Sequence, residues 1–248
     1  MITRETVDLL MEMMKTVDGV AQEALQLILE ELFVPDADLV AVRNELLEIM
    51  PALTATYTSA SSEGASSWYQ LLRESENVNG TFSTSLPEGV TETQISKSVR
   101  WAIGPAFQGD IQKAKERIAF TLSDNVKNAG RATVQHNARK DPAKPSWARV
   151  PAGRETCPFC DMLASRGFTY SSAESAGKGN RYHAHCDCVI VPKWKKTSVQ
   201  IKGYDPEKLT QRYQKALADL RENGNTTPKD VEITSTMRRI MPETYNTK

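Results

Sequence analysis

The segment CPFCDMLASRGF, Cys157 to Phe168, followed by RYHAHCDC, Arg181 to Cys188, holds all four cysteines of the chain and two of its three histidines. Thiolate and imidazole are the natural ligands of a divalent zinc ion, which takes four of them in a tetrahedron. Cys157-x-x-Cys160 is the spacing at which one tight turn aims two sulfurs at one ion, and Pro158 pre-sets that turn. After 22 intervening residues His183, His185, Cys186 and Cys188 offer a second group of donors. Six candidates thus compete for four places. The spacing favours Cys157, Cys160, His183 and Cys186, with Cys188 as the nearest substitute and His185 as the spare. Alternating side-chain direction in the C-x-C pair would send Cys188 to the ion and Cys186 into the core instead. The competing reading is a pair of disulfides or four reduced core thiols. No apolar leader opens the chain, because Arg4, Glu5 and Asp8 interrupt its start, so the sequence reads as made in a reducing compartment, where ligands are commoner than disulfides.

The donor surplus argues that the metal, Zn2+, is structural. A catalytic zinc keeps only three protein ligands and a water, usually with a carboxylate base nearby. No H-E-x-x-H is present, and Asp187, between two donors, is badly placed as a base. A structural site of this kind contributes roughly 10 kcal/mol or more to folding. No catalytic residue emerges elsewhere. His136, the one histidine outside the cluster, falls near a helix end beside Asn137, with Ser123, Ser146 and Ser165 as unremarkable serines, and there is no G-x-S-x-G elbow.

The elements that must position the cluster are mainly helical. Val7, Leu10, Met14, Val17, Ala21, Ala24, Ile28 and Leu32 alternate spacings of three and four, which lines one face of a helix ending at Phe33-Val34-Pro35. Asp36 or Asp38 caps a second helix through Met50, giving an antiparallel hairpin, or else a coiled-coil contact with another chain. TSASSEG, Thr58 to Gly64, reads as a loop opening a short helix with Trp68, Leu71 and Leu72, and Asn77 to Gly89 is rich in turns. Helical patterns follow over Thr91 to Ile103 and Gln108 to Gln135, separated by Gly104-Pro105. Val150 and Val189-Ile190-Val191 read as strands flanking the cysteines, with Trp147 and Trp194 as core aromatics. A last amphipathic helix spans about Pro206 to Arg221, and the remainder reads as an extended arm.

The expected fold is therefore α+β and mainly α-helical. An N-terminal acidic helical hairpin region (1–76) leads to a helical region ending in a basic stretch (77–146). A small zinc-stapled α/β module (147–196) and a C-terminal helix with an extended arm (197–248) follow. The net charge of zero conceals polarity: Met1 to Met50 holds eleven acids against three bases, and Lys127 to Arg154 seven bases against one acid. Arg139, Lys140, Lys144 and Arg149 lie in that basic stretch and are candidate contacts to nucleic acid or an acidic partner. No run approaches the roughly 18 apolar residues of a membrane span, so no membrane partner is expected.

The run WARVPAGRETCPFCDMLASRGFTYSSAESAG…YHAHCDC, Trp147 to Cys188, resembles the core of the phage Mu protein F-like family of head morphogenesis proteins, in particular the minor capsid proteins of actinobacteriophages often labelled capsid maturation proteases. The family pattern, C-x-x-C followed by H-x-x-C-x-C, falls on Cys157, Cys160, His183, Cys186 and Cys188. The resemblance implies a minor protein of the virion head, assembled in the host cytoplasm in a few copies. Its implied partners are the portal protein, the major capsid protein and packaged DNA. A capsid maturation protease and a DNA-binding packaging accessory are the alternatives.

Overall fold

The structure, a computed structural model, describes residues 1–152, 156–170, 188–195 and 197–245. In chain order these form β1 (Ile2–Thr3), α1 (Arg4–Leu32), α2 (Leu39–Ser75), α3 (Glu92–Ile103), a 3-10 turn (Gly104–Gln108) and α4 (Ile111–Lys140). Then come β2 (Ser146–Pro151), α5 (Pro158–Ala164), β3 (Cys188–Lys193), β4 (Val199–Gln200), α6 (Pro206–Glu222) and α7 (Asp230–Ile240). The protein is mainly helical with a small amount of sheet, as the periodicities require. The chain divides into two compact units that interleave in sequence. One comprises Glu12–Leu71 and Ser83–Asn137; the other comprises Met1–Met11, Leu72–Phe82 and the chain from Ala138 onward.

The first unit is a helical bundle. Its core joins Ala21, Leu25 and Leu29 of α1, Val42, Leu46 and Met50 of α2, Ile95 and Val99 of α3, and Ala114, Ile118, Leu122 and Val126 of α4. The inward stripe of α1 follows the expected residues as far as Ala21 and then moves to Leu25 and Leu29, leaving Ala24 and Ile28 half-buried. A spacing averaging 3.5 drifts by about 20° per heptad on a helix of 3.6 residues per turn, so the buried stripe shifts by one position. Asp38 accepts the Val40 amide at 2.9 Å and starts α2. Thr91 and Gln94 form a reciprocal capping box that starts α3.

One expectation fails here: Thr58 to Gly64 is no loop, because α2 runs unbroken from Leu39 through Pro51 to Ser75. The small polar residues serve close packing. Thr58, Ser61, Ser62 and Ala65 are buried, and the Thr58 hydroxyl donates to the Thr54 carbonyl at 2.8 Å within its own helix. A Cβ at Gly64 would stand 2.5 Å from Met13 Sδ, and one at Gly130 would stand 2.8 Å from Met14 Sδ and 2.9 Å from Ser61 Oγ. We expect Gly130→Val to lower the free energy of unfolding by about 1–3 kcal/mol, because the added branch meets packed neighbours. Gly19→Ala, with nothing within 4 Å, should instead raise it by about 0.5–1 kcal/mol. Urea unfolding of the two variants checks both signs.

In the second unit β2 and β3 pair antiparallel, with Trp147 opposite Pro192, Val150 opposite Val189 and Pro151 opposite Cys188, while β1 and β4 pair in parallel. The strands expected at Val150 and at Val189 to Val191 are thus partners. Met162 and Leu163 of α5 pack with Ala216 of α6 and with Ile233, Met237, Met241 and Tyr245. The expected extended arm is replaced by helix α7, whose buried apolar residues Ile233 and Met237 stand four apart and so face one side. Arg73, at the end of α2, pairs with Asp141 (Nε to Oδ2, 2.9 Å), which also accepts the Trp194 indole N–H at 3.0 Å.

Candidate metal centre

Cys157 stands at the N-cap of α5, where its sulfur accepts the Cys160 amide at 3.3 Å, and Pro158 occupies the first helical position. One turn into α5, Cys160 turns inward. Cys188 is the first residue of β3, held by its pairing with Pro151 at the end of β2. The strand pair therefore brings Cys188 back over α5, and its Sγ lies 3.3 Å from Cys160 Sγ across a separation of 28 residues. Cys160 and Cys188 are 1% and 0% exposed, with half-buried Cys157 packed against them.

This separation is far beyond the roughly 2.05 Å of a sulfur–sulfur bond. Two thiolates about 2.3 Å from one tetrahedral zinc stand roughly 3.8 Å apart, so the pair fits a shared ion after a shift of a few tenths of an ångström. Among the described residues no group of three or more His, Cys, Asp or Glu side chains is arranged to hold a metal. His183 and Cys186, from the favoured set, and His185 lie outside the described residues. Of the candidates, the structure brings together Cys157, Cys160 and Cys188, the last of which the spacing placed only as a substitute.

The other face of the motif is anchored by Asp161. Its buried carboxylate accepts Arg212 Nη1 at 2.7 Å and the Tyr245 hydroxyl at 2.8 Å. Burial raises the Asp161 pKa above the usual carboxylate range, and the two hydrogen bonds oppose that rise. Burial and the adjacent carboxylate push the Tyr245 phenol upward, so it stays a donor. Asp161 thereby ties α5 to α6 and to the end of the described chain. We expect Asp161→Ala to cost about 1.5–3 kcal/mol, since it leaves Arg212 and Tyr245 without their acceptor while the partly exposed Arg212 keeps access to water. Thermal unfolding followed by circular dichroism measures it.

The basic candidates separate by burial. Arg139, Lys140 and Lys144 are exposed, with the Arg139 guanidinium 5.8 Å from the Trp147 ring centroid. Arg149, at 2% exposure on β2, is interior and presents no charge to a partner.

One pairing had no sequence signal. His136 on α4 places Nε2 3.0 Å from Ser85 Oγ, 51 residues away. The serines weighed from the sequence are engaged elsewhere: Ser123 donates to Asp18, Ser146 to the Lys193 carbonyl and Ser165 to the Met162 carbonyl. Asn137, fully buried, accepts the Ser85 amide at 2.9 Å and donates to the Ser85 carbonyl at 3.0 Å. That double bond to the backbone fixes the segment after α2 against α4.

These features define a helix-rich protein carrying a small β2–α5–β3 module that gathers cysteines. The chain belongs to the VG15 protein family, whose profile matches residues 1–216. It is similar to the Gene 15 protein of Mycobacterium phage L5, at 32% identity over 118 residues covering 32% of this chain and 40% of that protein. It is also similar to the Gene 15 protein of Mycobacterium phage D29, at 32% identity over 112 residues covering 33% and 41%. The match thus spans about two fifths of the length of these curated relatives. No solved structure matches the chain. The family is one with bacteriophage members, and among the described residues no helix is long and apolar enough to cross a membrane.

Proposed function

We propose that this protein is a minor structural protein of a tailed-phage head, of the Mu F-like morphogenesis type, folded around a structural zinc ion. The observation that carries the reading is the convergence of Cys160 and Cys188 in a phage-family chain, with Cys157 beside them. Cys157, Cys160 and Cys188 supply three thiolates, and His183 or Cys186 supplies the fourth donor. Bound there, the ion cross-links α5 to β3 and offers no open position for substrate. The metal's part is therefore mechanical: it holds the β2–α5–β3 module as a rigid knob.

The portal protein, the major capsid protein, or both, are its protein partners, met in the head during assembly in the host cytoplasm. Packaged DNA is a further partner, along Arg139, Lys140 and Lys144. Each phosphate contact removed lowers the slope of log affinity against log salt by about 0.9. Replacing these three residues by alanine should therefore flatten the slope for duplex DNA by about 2–3, measured by fluorescence anisotropy across a salt series.

The deciding experiment is metal analysis and quantitative mass spectrometry on purified virions and on the purified chain. The proposal expects about one zinc per chain and a few copies of the protein per head. Absence of the protein from virions removes the head assignment. A metal-free, fully folded chain with its cysteines paired removes the zinc.

A further inference from the structure

The corner where α3 turns into α4 carries aromatic and basic side chains on its outside. Gly104-Pro105 opens the 3-10 turn and Gly109, at φ 87°, closes it, while Ile103, Pro105 and Ala106 are buried beneath. The corner is therefore held in shape from below. Trp101 and Phe107, by contrast, are 54% and 48% exposed. Large aromatics left in water at an anchored position mark contact surfaces, where Trp, Phe and Arg are enriched. The Arg117 guanidinium of α4 stands 4.6 Å from the Trp101 ring centroid and so fixes the indole in advance of any contact. Lys97 lies one turn before Trp101 on α3, and Lys113 one turn before Arg117 on α4, so both lysines flank the stacked pair. Among the described residues no ion pair uses Lys97, Lys113 or Arg117. From Lys97 to Arg117 there are five bases against Asp110 and Glu116, and the Asp110 carboxylate is engaged by the Lys113 amide.

The surface that complements such a corner is an acidic helix with an apolar stripe, and α1 of the same unit presents one. Thr16, Val20, Glu23, Leu27 and Glu31 recur at spacings of three and four, all exposed, on the side of α1 away from Ala21, Leu25 and Leu29. From Glu12 to Leu32 there are five acids and one base, and that base, Lys15, already pairs with Glu12. Two copies of this stripe repel one another, since like charges would meet across the contact. Phosphate alone would engage the lysines of the corner and leave its aromatics in water. Charge and apolar surface together therefore match the corner of one copy to α1 of another.

We infer that the α3–α4 corner is a docking surface for α1 of a second copy of this chain, with Trp101 and Phe107 against Val20 and Leu27, and Lys97 and Lys113 against Glu23 and Glu31. The contact is head-to-tail, so each copy keeps one surface free and association runs on to a closed ring or an open chain. Both surfaces belong to one compact unit. The inference rests neither on the metal nor on the head assignment.

The test is sedimentation velocity on the full chain under reducing conditions, up to about 100 µM, a range that covers micromolar contacts. We expect association that weakens between about 50 mM and about 500 mM salt, because screening shortens the reach of the charges. Trp101→Ala should weaken it by about 10-fold or more. The double variant Lys97→Glu with Lys113→Glu, and separately Glu23→Lys with Glu31→Lys, should each abolish it with an unchanged circular dichroism spectrum, since all these positions are exposed. Mixing the two double variants should restore association, because each then offers the charges the other lacks, and misfolding cannot produce that rescue. A wild-type chain that stays monomeric across this range overturns the inference, as does association that survives either reversal or a mixture that stays monomeric. A monomeric chain whose affinity for duplex DNA falls on Lys97→Glu with Lys113→Glu would overturn it in favour of phosphate as the occupant of the corner.

Discussion

Asp141→Ala should lower the free energy of unfolding by about 3–5 kcal/mol, the cost of leaving a buried charge without its partner. Arg73 and Asp141 are 4% and 1% exposed, and water does not replace the lost carboxylate. The same carboxylate accepts the Trp194 indole N–H and the Ala143 amide. Arg73 in turn donates to the carbonyls of Val78, Asn79 and Gly80. One side chain thus closes the chain after α2, the turn after α4 and the end of β3 onto a single point. Asp141→Asn keeps an acceptor for Trp194 and loses the charge, so its cost should be smaller, about 1.5–3 kcal/mol. Guanidinium unfolding followed by tryptophan fluorescence gives both values, and an unchanged m-value would show that the native and denatured states keep their compactness. A cost below about 1 kcal/mol for the alanine variant would show that the pair is not a keystone.

Nothing in the sequence marks Asp141 for that role, since RKDPAKPSW reads only as a helix breaker. Local signals were legible where one element supplies its own pattern. The helices α1 and α4, the cap at Asp38 and the strands at Val150 and Val189 follow from periodicity, capping chemistry and β-branched runs. Misreading came where residue types carry two meanings. Serine, threonine and glycine between Thr58 and Gly64 mark a loop in isolation, yet they mark close helix packing when Met13 and Met14 lie against them. In α7 the apolar positions Ile233 and Met237 are too few among polar neighbours to stand out until α5 and α6 supply the surface they cover. The concentration of cysteines in one segment marked them as residues that belong together, and Cys157, Cys160 and Cys188 do pack together. Which donors meet was not legible, since it depends on the β2–β3 register that returns Cys188 to Cys160. Arg149 shows the same limit: the sequence gives its charge, and only the strand face gives its burial. The Ser85–His136 contact, made by residues 51 apart, had no signal at all.

On the zinc reading proposed above, Cys160→Ala should abolish metal binding and unfold the β2–α5–β3 module. Cys160 links the other two, with its amide bonded to Cys157 Sγ and its sulfur next to that of Cys188. Structural zinc supplies roughly 10 kcal/mol or more, comparable to the whole stability of a domain. Its loss should therefore not stop at the ligands. Asp161, the next residue, holds Arg212 and Tyr245, and Met162 and Leu163 anchor the α6–α7 cluster. Unfolding of α5 removes the surface on which both helices pack. Hydrogen exchange should accordingly show α5, α6, α7, β2 and β3 losing protection in the variant, and also in wild-type protein treated with a strong zinc chelator. The core amides of α3, packed in the other unit, serve as the internal reference for that loss. If a disulfide were the staple, the chelator would change nothing and a reductant such as dithiothreitol would do the damage. The two reagents applied separately to the same sample decide between the ion and the bond.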